Sequence, residues 1–356
     1  MSTYVLPFEK PIAELEKKIE ELSEFNATQD IDVSSEIKRI EDKIEKTRTK
    51  IYNNLTAWQK VQVARHPLRP YTRDYIKYIA TDFTELHGDR IHRDDRAIIG
   101  GFAKIDGQRV MIIGTQKGRE TKSNLDCNFG CPYPEGYRKA LRLMKMANKF
   151  GLPIVTLIDT PGAYPGLQSE ERHIAEAIAV NLRESFTFGV PILSVIIGEG
   201  GSGGALGIGV ANRVLIMEHA YYSVISPEGC AAILWKDRAF ADKSAEALKC
   251  TAQDLLKFKL ADEIIPEPMG GAHRDHGLVA QSLKMAILKH VTELSALSPQ
   301  ELKDDRYEKF RAMGEFNESK PRAKAKKTAA KKTAANKTTS KKTTTKKTTS
   351  KKSEDA

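Results

Sequence analysis

Gly198-Glu199-Gly200-Gly201-Ser202-Gly203-Gly204-Ala205-Leu206-Gly207-Ile208-Gly209 places seven glycines in twelve residues. It follows Pro191–Ile197, an apolar run with the length and composition of a buried strand. A small-residue run then continues to Val210, as a tightly packed helix would. The glycines therefore fall where a strand becomes a helix. Without a Cβ, backbone N–H groups there can approach a ligand closely. The first N–H groups of a helix also lack partners, so such a turn suits an oxygen that carries or develops negative charge. The pattern Gly198-x-Gly200-x-x-Gly203 matches a dinucleotide fingerprint only in its letters, because this strand is preceded by another strand and helix of the same kind. A Walker loop would need Gly-Lys-Ser/Thr, which is absent. Close helix packing is the plainer reading of so many small residues. Ser202 reads as a nucleophile or, more simply, as a helix N-cap.

The preceding unit is an echo. Gly151-Leu152-Pro153-Ile154-Val155 recurs as Gly189-Val190-Pro191-Ile192-Leu193, 38 residues later. Each copy reads as a strand, then a glycine-bearing turn, then a helix. Arg213–Met217 and Tyr221–Ile225 read as a third strand pair. Repetition of this kind points to a stacked, right-handed α/β superhelix, with an open doubly wound sheet as the alternative. Asp159-Thr160-Pro161-Gly162-Ala163-Tyr164-Pro165-Gly166 ends the first copy, so two glycine turns are expected on one edge of the sheet, where α/β folds hold ligands.

Upstream, residues 8–64 read as two helices. Ile12, Leu15, Ile19 and Leu22 mark the first, and Val33, Ile37, Ile40, Ile44 and Ile51 the second, with a polar turn at Asn26–Asp32. This helical hairpin reads as a docking arm over residues 1–70, closed by His66-Pro67-Leu68-Arg69-Pro70. A short helix is expected over Thr72–Leu86. A β-hairpin should follow, with Ile98–Ile105 and Arg109–Thr115 flanking Asp106-Gly107. Gln116–Tyr133 reads as a loop, and Pro134–Phe150 as a helix. The main domain is assigned to residues 71–315. Residues 316–356 repeat Lys-Lys-Thr and read as a disordered basic tail.

The tail also explains the charge. The whole chain carries +10, but Ser319–Ala356 alone carries +12, so the body is near neutral at −2. A nucleic-acid-binding role would rest on this tail, which has no aromatic residue for base stacking. No apolar run reaches a membrane span, no secretory leader is apparent, and four cysteines are few, so the expectation is a reduced, cytoplasmic protein. Cys127-x-x-x-Cys131 lacks zinc spacing, and no metal site is expected.

Bases are scarce in the two turns. Asp159 and Glu199 end neighbouring strands and read either as an acid/base pair or as turn and cap formers. Lys117, Arg119 and Lys122 cluster beside Gly118 as candidates for phosphate contacts. Arg138, Arg142, Lys145 and Lys149 read as a solvated helix face. Many N–H donors without an obvious base suit chemistry in which the substrate supplies its own base and the protein stabilises an enolate-like oxygen.

Six ordered motifs, residues 118–122, 134–144, 158–166, 198–206, 222–231 and 264–273, closely resemble the α subunit of bacterial-type acetyl-coenzyme A carboxylase carboxyltransferase. The resemblance covers residues 5 to about 315. It implies a crotonase-like (ClpP/crotonase) ββα superhelix. It also implies transfer of a carboxyl group from carboxybiotin, borne on a biotin carboxyl carrier protein, to acetyl-CoA. The product would be malonyl-CoA for fatty acid biosynthesis. Carried over, the backbone N–H groups of Gly203 and Gly204 would form the biotin-side oxyanion hole. Gly200 and Gly201 would shape the turn, and Gly162 and Gly166 would line the same cleft. Implied partners are a zinc-bearing β subunit in an α2β2 assembly and a biotin carboxylase that uses ATP. The tail lies outside the resemblance and reads as an arm for an anionic surface. A propionyl-CoA-type carboxyltransferase, or a single-chain crotonase-like hydratase or hydrolase using Asp159 and Glu199, stays open as an alternative.

Overall fold

The 38-residue echo becomes two neighbouring parallel strands in register. Strand β4 (Ile154–Thr160) pairs with β5 (Ile192–Gly201), with Ile154 opposite Ile192 and Ile158 opposite Ile196. Every residue of both strands is buried, as expected for parallel strands covered on both faces. The register then slips, so that Thr160 pairs with Gly200 and β5 carries two extra residues at its end. That irregularity is where the glycine turn begins.

The computed structural model describes residues 4–29 and 33–314. Around β4 and β5 the sheet runs β1 (Thr81–Glu85), β2 (Ile98–Ile105), β3 (Gln108–Thr115), β4, β5, β6 (Arg213–Met217) and β8 (Glu263–Ile265). The short β7 (Tyr221–Ser223) pairs with the end of β5. β1–β3 are antiparallel and the other pairings are parallel. Asp106 and Gly107 both have positive φ, 46° and 83°, the geometry of a tight hairpin turn whose twist suits β2 and β3.

Helix α6 (Pro134–Phe150) lies over this sheet. It buries Tyr137, Ala140, Leu143, Met144 and Ala147 at helical spacing and stops at Gly151, which is left-handed at φ 66°. Of the expected solvated stripe on its other side, two arginines are engaged. Arg138 pairs with Asp89, and Arg142 donates to the Gly88 and His87 carbonyls, so both clamp the 87–95 loop.

Four expectations are corrected. Helix α1 (Lys10–Gln29) continues through Asn26, where a turn was expected; residues 30–32 lie outside the described ones. The second expected helix is two: α2 (Ser34–Tyr52) ends at Asn53-Asn54, and α3 (Ala57–Ala64) restarts behind a Thr56/Gln59 capping box. Residues 72–86 split into α4 (Thr72–Ile79) and β1, because the Thr81–Glu85 backbone adds a strand to the β2 edge. The expected 116–133 loop contains the short helix α5 (Thr121–Asp126). The tail expectation falls outside the described residues.

Beyond α3 the chain runs into the body. His66 and Arg69 are buried, and the Arg69 guanidinium holds the Glu267 carboxylate and the carbonyl of Ile197, the strand residue just before the glycines.

Candidate functional site

Both glycine turns open at the carboxyl ends of the central parallel strands. The turn after β4 leads to α7 (Leu167–Glu171), and the turn after β5 leads to α9 (Ser202–Leu206). The two interlock backbone against backbone. A Cβ on Gly201 would lie 2.2 Å from the Pro161 carbonyl oxygen, and one on Gly204 would lie 2.3 Å from the Ala163 nitrogen. A Cβ on Gly200 would press on Tyr222 at 2.9 Å. None of these three is in the left-handed region. They are glycines because nothing larger fits.

Gly203 is different. Its φ is ordinary, and a Cβ there would find only Ile178 Cδ1, at 3.8 Å. Neither packing nor backbone geometry within the chain requires glycine at this position. It lines an apolar cavity of about 440 Å³ together with Leu206, Val214, Tyr222, Val224, Leu255, Phe258, Phe310 and Met313. The Gly203 and Gly204 amides follow the N-cap of α9 and have no acceptor one turn back in that helix. Neither donates to another group among the described residues.

Ser202 is not the expected N-cap; Gly201 takes that place, and Ser202 caps nothing. It is exposed, lines the cavity and stands at φ 50°. A non-glycine residue in that region costs about 1–2 kcal/mol. Gly162, at φ 150°, faces the Gly201 carbonyl, and Gly166 lies under the Tyr164 ring. Of the six glycines expected at the site, Gly203 alone is among the cavity-lining residues.

Beneath the glycines lies a charged cluster. Lys117 Nζ donates to Asp159 Oδ1 at 2.6 Å and to Glu199 Oε1 at 2.9 Å. Glu199 Oε2 accepts from Arg65 Nε at 2.9 Å and from the Tyr221 hydroxyl at 2.7 Å, while Arg65 also holds Glu228. Asp159 Oδ1 accepts from the Glu199 backbone N–H, so this carboxylate also ties the ends of β4 and β5 together. Burial alone would push Glu199 upward, but the charges of Lys117 and Arg65 hold it down to about 2. Burial would likewise lower Lys117, and its two carboxylates more than reverse this, holding it above the ordinary lysine value. Both ions stay charged at neutral pH.

This arrangement removes Asp159 and Glu199 as a free acid/base pair. It also commits the Lys117 ammonium, so a phosphate would have to displace two buried carboxylates to reach it. Arg119 binds Asp74 and the Arg69 carbonyl and stacks over Tyr71; Lys122 is exposed. The three cations thus have separate neighbours. Arg65, Tyr221 and Glu228 were missed from sequence, since no spacing links them to the turn they support.

Among the described residues, one other group places metal-ligand atoms together: those of Glu9, His66 and His273 lie within 4.8 Å of one another. Glu9 already accepts from the Tyr52 hydroxyl and the Leu6 N–H. The two imidazoles stack face to face, 3.7 Å apart and 16° from parallel, so their lone pairs do not converge on one ion. All four cysteines are free.

Comparison with known proteins agrees with this architecture. Residues 5–314 match the family model described as acetyl co-enzyme A carboxylase carboxyltransferase-like. The chain is 57% identical over 317 residues to the acetyl-coenzyme A carboxylase carboxyl transferase subunit alpha of Geobacter metallireducens, covering 89% of this chain and 99% of that one. It is 54% identical over 313 residues to the protein of the same name from Thermus thermophilus, covering 88% and 99%. Among solved structures, the β subunit of geranyl-CoA carboxylase from P. aeruginosa shares the fold, with a TM-score of 0.50 at 15% identity. That match covers 69% of this chain but only 46% of the longer relative.

Proposed function

The chain belongs to the acetyl co-enzyme A carboxylase carboxyltransferase-like family, and from that premise we propose that its cavity beside Gly203 receives the ring of carboxybiotin. The chain is the α subunit of the transferase, and the reaction moves a carboxyl group to acetyl-CoA, giving malonyl-CoA. The ring arrives on a biotin carboxyl carrier protein loaded by an ATP-using biotin carboxylase. The thioester half of the site comes from a zinc-bearing β subunit in an α2β2 assembly. No helix among the described residues is long and apolar enough to cross a membrane.

The observation that carries this reading is Gly203. Its glycine identity answers to no contact or torsion of the chain, it faces an apolar cavity, and its amide has no acceptor. A bicyclic urea fits such a place: the apolar walls suit its ring, and the free amides suit its oxygen. Donors fixed in advance, where water is sparse, stabilise charge that develops on that oxygen without reorganising. Bound carboxybiotin supplies the carboxyl group and the base for the thioester proton. The chain's own residues bind and orient the ring, and Lys117, Asp159 and Glu199 hold the two turns in place.

The competing reading, a single-chain hydratase or hydrolase, requires a proton donor at Asp159 or Glu199. Glu199, held at about 2, has none to give at neutral pH. The test is to assemble the chain with its β partner and assay malonyl-CoA-dependent carboxylation of biotinyl-lysine. Activity in the complex and none in the isolated chain is expected. An isolated chain that hydrates enoyl-CoA or hydrolyses acyl-CoA would overturn the proposal.

A further inference from the structure

The glycine-rich turn contains an anomaly. Its left-handed residue is Ser202, while Gly201, Gly203 and Gly204 beside it all have ordinary φ. Glycine would hold the Ser202 backbone without strain. A serine in that position carries a steric penalty that nothing in the chain offsets, because its hydroxyl has no partner among the described residues.

The cavity shows what the hydroxyl is available for. Four lining residues carry polar side-chain atoms: Ser202, Tyr222, Ser223 and Lys249. Ser223 already donates to the Ile225 carbonyl and accepts from the Ile225 N–H. Lys249 is paired with Glu246, and an ammonium cannot accept a hydrogen bond. Tyr222 packs its ring against Gly200 and carries its hydroxyl beside Gly209, past the C-terminal end of α9 and away from the Gly203 amide at its start. Ser202 is next in sequence to the free Gly203 amide. A biotin ureido group presents one oxygen, one nitrogen that carries the carboxyl, and one N–H. The oxygen is served by backbone donors, which leaves the N–H in need of an acceptor inside an apolar cavity.

We propose that the Ser202 hydroxyl accepts a hydrogen bond from the uncarboxylated ring N–H and so fixes which of the two ureido nitrogens faces the thioester. This rests on the reading that the cavity takes the biotin ring. Ser202 then sets orientation, and the backbone amides stabilise charge.

The test uses the α–β complex carrying Ser202→Ala or Ser202→Gly. Biotinyl-lysine binding is measured by ligand-observed NMR, alongside KM for biotinyl-lysine and for malonyl-CoA and the melting temperature. Both variants are expected to bind biotinyl-lysine about 5–10-fold more weakly, as loss of one hydrogen bond predicts. KM for malonyl-CoA should be unchanged, and Ser202→Gly should melt no lower than the wild type because it relieves the torsion. Binding within twofold of wild type in both variants overturns the proposal. So does normal binding in Ser202→Gly with weak binding in Ser202→Ala, which would trace the effect to the backbone. A wild-type complex that does not bind biotinyl-lysine overturns the cavity assignment itself, and this proposal with it.

Discussion

Replacing Gly203 with alanine separates folding from catalysis, because the structure predicts opposite effects on the two. The added Cβ meets nothing closer than Ile178 Cδ1 at 3.8 Å, and the φ of Gly203 already suits alanine. Alanine is favoured over glycine within a helix by about 1 kcal/mol. The variant should therefore be at least as stable as the wild type, with a gain of up to ~1 kcal/mol and a melting temperature about 2 °C higher. Its activity should fall. The methyl group adds bulk at a residue that lines the space assigned to the reacting ring, and displacing a bound group by about 1 Å costs roughly 10²-fold. The assays are urea denaturation of the isolated chain and carboxyl transfer from malonyl-CoA to biotinyl-lysine in the assembled complex. Gly204→Ala is the informative neighbour, since its Cβ would fall 2.3 Å from the Ala163 nitrogen and should destabilise by about 1–3 kcal/mol. A stable Gly203→Ala protein with the wild-type rate would refute the argument, because the one unexplained glycine would then have no bearing on the reaction.

Lys117→Met should cost about 3–5 kcal/mol in urea melts, because it leaves Asp159 and Glu199 buried without their shared cation; a loss below 1 kcal/mol would show that the cluster does not brace the turns. Burial, together with the stacked partner ring and nearby arginines, lowers His273 to about 2, and burial also lowers His66. The unfolded chain therefore binds protons below pH 6.5 that the native state refuses, so stability should fall as pH drops from 6.5 toward 5. The slope should reach ~1.4 kcal/mol per pH unit from His273, with a further loss of the same sign from His66, and His273→Gln should flatten it. Glu199 and Glu267, both held at about 2, add a further loss only as pH falls below about 4.5. The carboxyl-transfer rate should show no limb from this chain between pH 6 and 9, since Glu199 titrates below that range and Lys117 and Tyr221 are pushed above it; a limb abolished by mutating any of the three would contradict this.

Where sequence reading succeeded, the signal was short-range and covalently ordered. The 38-residue echo gave two parallel strands in register, and Asp106-Gly107 gave the hairpin. Pro134 and Gly151 bounded α6, because proline suits a helix start and glycine a left-handed stop. Boundaries failed where two local preferences compete. Thr81–Glu85 has weak strand character alone and becomes a strand by pairing with β2. The break at Asn53-Asn54 was legible in the Thr56-x-x-Gln59 capping box but is masked by the apolar spacing on either side. The charged cluster was out of reach for another reason. Arg65 meets Glu199 and Glu228 across 134 and 163 residues of chain, and no pattern in one sequence links positions so far apart.

The glycines of the central turn look equivalent as letters, yet two different constraints hold three of them and neither holds the fourth. Gly201 and Gly204 are fixed by the neighbouring turn, Gly200 by the Tyr222 ring, and Gly203 by nothing within the chain. Close packing as a full explanation of the stretch therefore accounts for three of these four and leaves the fourth. The charges beneath them follow the same division. A buried lysine shared by two carboxylates, with an arginine on the far side, is a fixed arrangement whose members cannot exchange protons near neutrality without breaking an ion pair. It binds the ends of β4 and β5 from below while the glycines interlock above. What remains open to a ligand is one unobstructed glycine with its free amide, the Ser202 hydroxyl and an apolar wall. A site so built can hold and polarise a ring, but it cannot supply the proton acceptor for a thioester. That acceptor must enter with the substrate, which is the requirement a carried, carboxylated urea meets.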